Sequence, residues 1–347
     1  MLSAKMYDKE NIEVIKEEIP AISEDEILLK VKSAGICGTD LRIYRNGHPE
    51  IHKDSPRTLG HEFSGVIEKV GSSVDGYKKG MRVAAAPNIG CGKCDICVSG
   101  NQHLCKEYKA IGVQLDGAFA EYLKIPAKAI NSGNISELPD HVSFEEASII
   151  EPLACVYSGI EKCQIKPGDD VLIIGAGPIG IMHAMLAKIS GAANVFISNR
   201  STNRLEMAKE IDNSFITIPN SDLKREIDLQ TNGEGVDVCI TACSSADAQT
   251  LSLELVKLNG RISFFGGLPK GKEKVELDTN LIHYKQLTIL GTTKASNEQF
   301  RKTLHFISSG LLDVKKLTTG KYHLNDIHDA FEEAMGGKGL KTVIVYD

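Results

Sequence analysis

The chain has 347 residues, 42% hydrophobic and 25% charged, which are the proportions of a soluble globular protein of about two domains and exclude disordered and fibrous classes. With 40 Lys and Arg against 46 Asp and Glu, the formal net charge is -6, so the long-range attraction that drives nucleic-acid binding is missing from the chain average. The N-terminal MLSAKMYDKENIEV carries a lysine and acidic residues where a secretory signal has an apolar core, which predicts a cytoplasmic protein. Nine cysteines in a reducing compartment then read as metal ligands or buried small side chains rather than disulfides.

Residues 1 to about 150 read as β-rich with frequent turns. Ile27–Lys32 and Phe63–Val70 have strand patterns, the second ending at Gly71-Ser72-Ser73. From about 151 to 290 strands alternate with helices, as in βαβ units on a parallel sheet. Strands are expected over Val171–Ile174, Asn194–Ser198, Val236–Thr241 and Arg261–Phe265, and helices over Gly180–Ser190 and Arg204–Ile211. The nearly uncharged run Val171–Ala187 invites a membrane-span reading, but Gly175, Gly177, Pro178 and Gly180 interrupt it and His183 lies inside it. A short buried strand followed by an apolar helix fits better. Helices over Glu298–Ser308 and Ile327–Met335 and a strand over Lys341–Val345 complete the pattern, so a parallel-sheet domain is expected between two pieces of a second domain.

Cys91-x2-Cys94-x2-Cys97-x7-Cys105 gathers four thiols in a loop with Gly90, Gly92 and Gly100. Short loops between soft ligands can wrap a zinc ion with no vacant position, a closed structural site that holds a loop and performs no reaction. An iron–sulfur cluster draws on the same ligands and stays open as an alternative. Gly175-Ala176-Gly177-Pro178-Ile179-Gly180 follows a strand and opens a helix, the context of a dinucleotide fingerprint, with the pyrophosphate at the helix N-terminus. A carboxylate for the ribose hydroxyls is expected about 20 residues on, but Asn199 and Arg200 stand there. Without the acid, and with Arg200 and Arg204 at hand for a 2′-phosphate, NADP(H) is expected to be preferred and NAD(H) remains possible. Cys37-Gly38-Thr39-Asp40, Gly60-His61-Glu62 and Glu151-Pro152 together offer a thiolate, an imidazole and carboxylates, a set that suits a catalytic zinc with an open position.

Over essentially its full length the chain resembles the zinc-dependent medium-chain alcohol dehydrogenases, especially the sorbitol and polyol-phosphate branch. The resemblance is carried by CGTDL (37–41), GHEFSGVIEKVGSSV (60–74), the four-cysteine lobe, DGAFAEY (116–122), EPLACV (151–156) and GAGPIG (175–180). It implies a doubly wound Rossmann parallel sheet over 154–290, inserted in a GroES-like, mostly β catalytic domain made of 1–153 and 291–347. It also implies a catalytic zinc on Cys37, His61 and Glu151, directly or through water, with Glu62 as an exchangeable or neighbouring carboxylate. Asp40 would buttress the histidine, and Thr39 would hand on the substrate proton. Many relatives have a histidine five residues after the zinc cysteine to end a proton relay; here Arg42 stands in its place.

The reading predicts two zinc ions per chain, a small polyol or sugar-phosphate substrate, no nucleic-acid or membrane partner, and a homo-oligomer, either dimer or tetramer. Arg42, Arg45, His48, His52, Lys53 and Arg57 against Glu50 and Asp54 would suit a phosphorylated substrate if this segment lines the site. A secondary-alcohol or threonine-type dehydrogenase is the alternative within the family. A non-catalytic NADP(H)-binding regulatory protein is the alternative outside it. A nucleic-acid-binding zinc module is disfavoured because Lys93 is the one base between Cys91 and Cys105. Cys155, Cys163, Cys239 and Cys243 read as buried packing residues.

Overall fold

The computed structural model describes residues 1–347. The chain divides into two compact units, Met1–Ala154 with Lys294–Asp347, and Cys155–Thr293.

The first unit is mainly β. Its largest sheet runs in the order Ile135–Glu137, Arg82–Ala85, Glu62–Val70, Ile27–Gly35, Lys341–Val345, Thr318–His323, with Tyr122–Ile125 also pairing to Ile27–Gly35. Alternation along Ile27–Gly35 buries Ile27, Leu29 and Val31 in a core shared with Phe63, Ile67, Phe119 and Phe331. The strand extends beyond the expected Lys32 because Ser33, Ala34 and Gly35 pair on both sides, with Ser64, Phe63 and Glu62 on one edge and Val345, Ile344 and Val343 on the other. A sequence window sees only the apolar alternation, which ends earlier.

The second unit is a six-stranded, wholly parallel sheet. Its spatial order is Ile216–Pro219, Asn194–Asn199, Asp170–Ile174, Val236–Thr241, Val256–Phe264, Thr288–Gly291. Numbered along the chain this is 3-2-1-4-5-6, the doubly wound order that binds dinucleotides where the winding reverses, next to the first strand. The helix Pro178–Ile189 is buried at every position from Gly180 to Ala187, which explains the uncharged run in the sequence. No helix is long and apolar enough to cross a membrane. Two expectations need correction. The fifth strand starts at Val256, not Arg261, because Asn259 adopts a left-handed φ of 59° and shifts the register, so that the sequence shows only its second half. Of the four cysteines expected to be buried, Cys163 and Cys239 are, whereas Cys155 and Cys243 are partly exposed. Cys243 follows the fourth strand beside the glycine turn, where a Cβ on Gly175 would come within 3.2 Å of its own Cβ.

Candidate metal centres and dinucleotide site

Cys37 caps the helix Gly38–Asn46, whose third residue is Asp40. Asp40 is fully buried; its Oδ2 accepts from the Cys37 backbone N–H at 2.9 Å and its Oδ1 from Gly60 N–H at 3.4 Å. The same Oδ1 lies 3.3 Å from His61 Nδ1, near enough for charge pairing although the ring N–H is not aligned for a hydrogen bond. One carboxylate thus fixes the cysteine turn and the histidine turn together. Gly60, at φ 94°, is needed there because a Cβ would meet the Phe119 ring at 2.9 Å.

Cys37, His61 and Glu62 converge, with their ligand atoms all within 4.8 Å of one another. Burial disfavours a charged His61, but Asp40 and Cys37 outweigh it and hold its pKa well above the usual 6.5. A field that favours a proton there also favours a divalent cation. Glu62 Oε1 is buried and has no hydrogen-bond partner, as expected of an atom waiting for a ligand. Its other oxygen, Oε2, accepts from Lys341 Nζ, which also donates to Ile36 O at 2.8 Å. Burial pulls the Lys341 pKa down, yet Glu62 and Cys37 overcome this and raise it above 10.5. The residues present therefore fit a zinc ion of the soft-plus-hard ligand type. Glu151 is buried in the first turn of the helix Ile150–Cys163, and Thr39 is partly exposed in the first turn after Cys37. The residues that converge are Cys37, His61 and Glu62. Lys341 was not identified by sequence reasoning. Its one signal there is a charge at the head of the apolar strand Lys341–Val345.

The second group is Cys91, Cys94, Cys97 and Cys105, again with all ligand atoms within 4.8 Å. Cys91 and Cys97 are 3.9 Å apart at sulfur, Cys94 and Cys105 3.8 Å. Four thiolates at about 2.3 Å around one tetrahedral zinc stand about 3.8 Å from each other, whereas a disulfide needs about 2.05 Å. All nine cysteines are free. Backbone N–H groups of Lys93 and Cys94 lower the Cys91 pKa to about 6, while burial, with the other three thiols alongside, raises that of Cys97 to about 12. Gly92 and Gly100 turn with φ of 77° and 81°. The fit is to a closed structural zinc.

In the second unit Gly175 has φ 117° and begins the turn; Gly177 is the N-cap of the helix and Pro178 its first residue. A Cβ on Gly180 would collide with the Gly175 carbonyl, so helix and strand pack closely only through glycine. Nothing lies within 4 Å of where a Cβ on Gly177 would be, leaving room for a pyrophosphate, and the partly exposed Ile179 continues the first turn. Asn199 Oδ1 accepts from Ala176 N–H at 3.3 Å and Nδ2 donates to Ser201 O at 3.2 Å, bracing the turn from the end of the second strand. Arg200 is exposed; Arg204 is partly buried, its Nη1 has no partner, and desolvation lowers its pKa.

The family model for the alcohol dehydrogenase GroES-like domain matches residues 23–139, and that for zinc-binding dehydrogenases matches 178–309. A sorbitol dehydrogenase from Bacillus subtilis (strain 168) is 34% identical over 349 residues, covering 99% of this chain and 97% of that protein. The chain belongs to the zinc-dependent medium-chain alcohol dehydrogenase family. It is an oxidoreductase that uses zinc and a nicotinamide dinucleotide, on a GroES-like plus Rossmann fold. An L-threonine 3-dehydrogenase from Pyrococcus horikoshii is 35% identical over 337 residues, covering 96% of this chain and 94% of the other. Among solved structures, a zinc-binding dehydrogenase from Sinorhizobium meliloti 1021 bound to NADP superposes with a TM-score of 0.90 at 30% identity, covering 99% of each chain. An alcohol dehydrogenase from Escherichia coli CFT073 complexed with NADH gives 0.89 at 31%, covering 100% of this chain and 99% of the other.

Proposed function

We propose that this dehydrogenase transfers hydride between NADP(H) and a polyol or polyol phosphate and the corresponding ketose. The observation that carries the reading is the convergence of Cys37, His61 and Glu62, with an unpartnered carboxylate oxygen among them. When bound, the metal supplies Lewis acidity toward the alcohol oxygen and the dinucleotide supplies the hydride acceptor or donor. Glu151 completes the metal environment directly or through water. Asp40 keeps the Cys37 turn and the His61 ring in place. Thr39 accepts the hydroxyl proton by hydrogen bond; Arg42, exposed and permanently charged, cannot take it further, so it leaves to solvent. The glycine turn orients the cofactor, and Arg204 and Arg200 favour a 2′-phosphate.

The sorbitol dehydrogenase relative supports a polyol. Exposed Arg42, Arg45, His52 and Lys53 support a phosphorylated one, and Arg57 is engaged by Asp116 at 3.9 Å. The threonine dehydrogenase relative keeps a second reading, an amino-alcohol substrate. Initial rates with polyols, polyol phosphates, ketoses, secondary alcohols and L-threonine, each with both cofactors, test the choice. Turnover of L-threonine above every polyol would replace the substrate assignment. No turnover by protein holding zinc at both sites would favour the regulatory, non-catalytic alternative.

A further inference from the structure

The strand Lys341–Val345 pairs antiparallel with Ile27–Gly35, placing Val343 opposite Gly35, and Ile27–Gly35 pairs with Glu62–Val70, placing Gly35 opposite Glu62. Lys341 and Glu62 therefore start two strands that flank a third. Their side chains meet across Gly35, where any Cβ would overlap Glu62 Oε2 and lie 3.2 Å from its Cβ. Gly35 is a glycine for the lane it leaves, since its φ is ordinary. The pair is almost wholly buried, with side-chain exposures of 5% and 0%. An ammonium and a carboxylate so far from water are kept only if each has firm partners. Lys341 has Ile36 O and Glu62 Oε2; Glu62 has Lys341 on one oxygen and nothing on the other.

We propose that Lys341 is a positioning residue of the metal centre: by holding Oε2 of Glu62 across Gly35 it commits Oε1 to the ion shared with Cys37 and His61, and so governs how firmly the ion is kept. The inference rests on the metal-centre reading above. Outer partners of metal ligands typically change affinity by about 10- to 100-fold. The probe is zinc itself, in the full-length protein, followed as loss to a colorimetric chelator; the four-cysteine lobe, on other residues, is the internal reference. Lys341→Met should release the zinc of the Cys37 site at least about tenfold faster while the lobe releases at the unmodified rate, and Lys341→Arg should restore retention to within about threefold. The cobalt-substituted protein should show a changed visible spectrum in Lys341→Met and not in Lys341→Arg. Unchanged retention in folded Lys341→Met would overturn the inference and leave the function intact. An unmodified protein with no zinc at Cys37 would overturn both. Should Lys341→Met not fold, Lys341→Met/Glu62→Gln, which leaves no buried charge unpaired, carries the comparison. Retention equal to that of Glu62→Gln alone supports action through Glu62, and a further loss refutes it.

Discussion

His183 stands in the middle of the helix Pro178–Ile189, fully buried, with neither ring nitrogen hydrogen-bonded. It meets Phe265 edge-to-face at 4.5 Å between centroids, and a Cβ on Gly159 would come within 3.1 Å of its Cε1. Desolvation lowers its pKa from 6.5 to about 3. The folded state therefore refuses a proton that the unfolded chain accepts, so stability is lost as pH falls from about 6.5 toward about 3. Each pH unit within that window costs about 1.4 kcal/mol, and integration from pH 7 to pH 5 gives about 2 kcal/mol from this one group. That is a sizeable share of the roughly 5–15 kcal/mol of a typical domain. His183→Leu removes the titration and the unpaired nitrogens with little change of volume. In urea unfolding followed by far-ultraviolet circular dichroism, the variant should gain about 2 kcal/mol relative to the unmodified protein on going from pH 7 to pH 5. Comparing the two proteins at each pH cancels the carboxylates they share. An equal difference at both pH values would show that the imidazole gains a proton in the folded state and would refute the reasoning.

Other consequences concern the metals and the cofactor. Cys94→Ser should lower the melting temperature and halve the zinc content, because a closed four-thiolate ion contributes its binding energy to folding; metal analysis with calorimetry checks this, and an unchanged melting temperature would remove the structural role. Cys37→Ser should abolish turnover while the circular dichroism spectrum persists, and substantial residual kcat would take Cys37 away from the metal. Arg204→Ala should cost more NADP(H) preference than Arg200→Ala, because its Nη1 is already desolvated and unpaired; one charge-assisted contact is worth about 1.5–3 kcal/mol, a roughly ten- to hundredfold shift in the ratio of kcat/KM for the two cofactors. Asn199→Asp should move the same ratio toward NAD(H), and no movement would show that the position is indifferent to charge.

What the sequence disclosed was what its local patterns encode. GAGPIG and the four-cysteine spacing each lie within one turn or loop, so the residues that make the chemistry are neighbours in the chain. Cys37 and His61 lie 24 positions apart, so their ligand chemistry suggested a shared zinc but no local spacing joined them, and the family resemblance supplied the pairing. Lys341 stayed hidden for a different reason. Its partner is 279 residues away, and a lysine in a strand ordinarily means a solvent-facing position. Thr288–Gly291 was missed because a four-residue edge strand with polar ends carries too little alternation to show. The start at Val256 was missed because Asn259 bulges out of register, a backbone event that hydrophobic periodicity does not record.

The split of the first unit across the chain sets an order of events during synthesis. The parallel-sheet unit is continuous in sequence, and every pairing in it but that of Asp170–Ile174 with Val236–Thr241 joins consecutive strands, so it can form as soon as about Thr293 has emerged. The strand Ile27–Gly35 is made long before, yet its partner Val343–Val345 is still missing when residue 154 appears, with about 190 residues to come. Tyr122–Ile125 covers Ile27–Lys30 meanwhile, so at roughly 5–20 residues per second it is Ser33–Gly35, the end of the strand beside Glu62, that presents an open edge for about 10–40 seconds. The inserted domain thus fixes a waiting time for its host, whose main sheet gains its last two strands, Thr318–His323 and Lys341–Val345, only when the chain is complete.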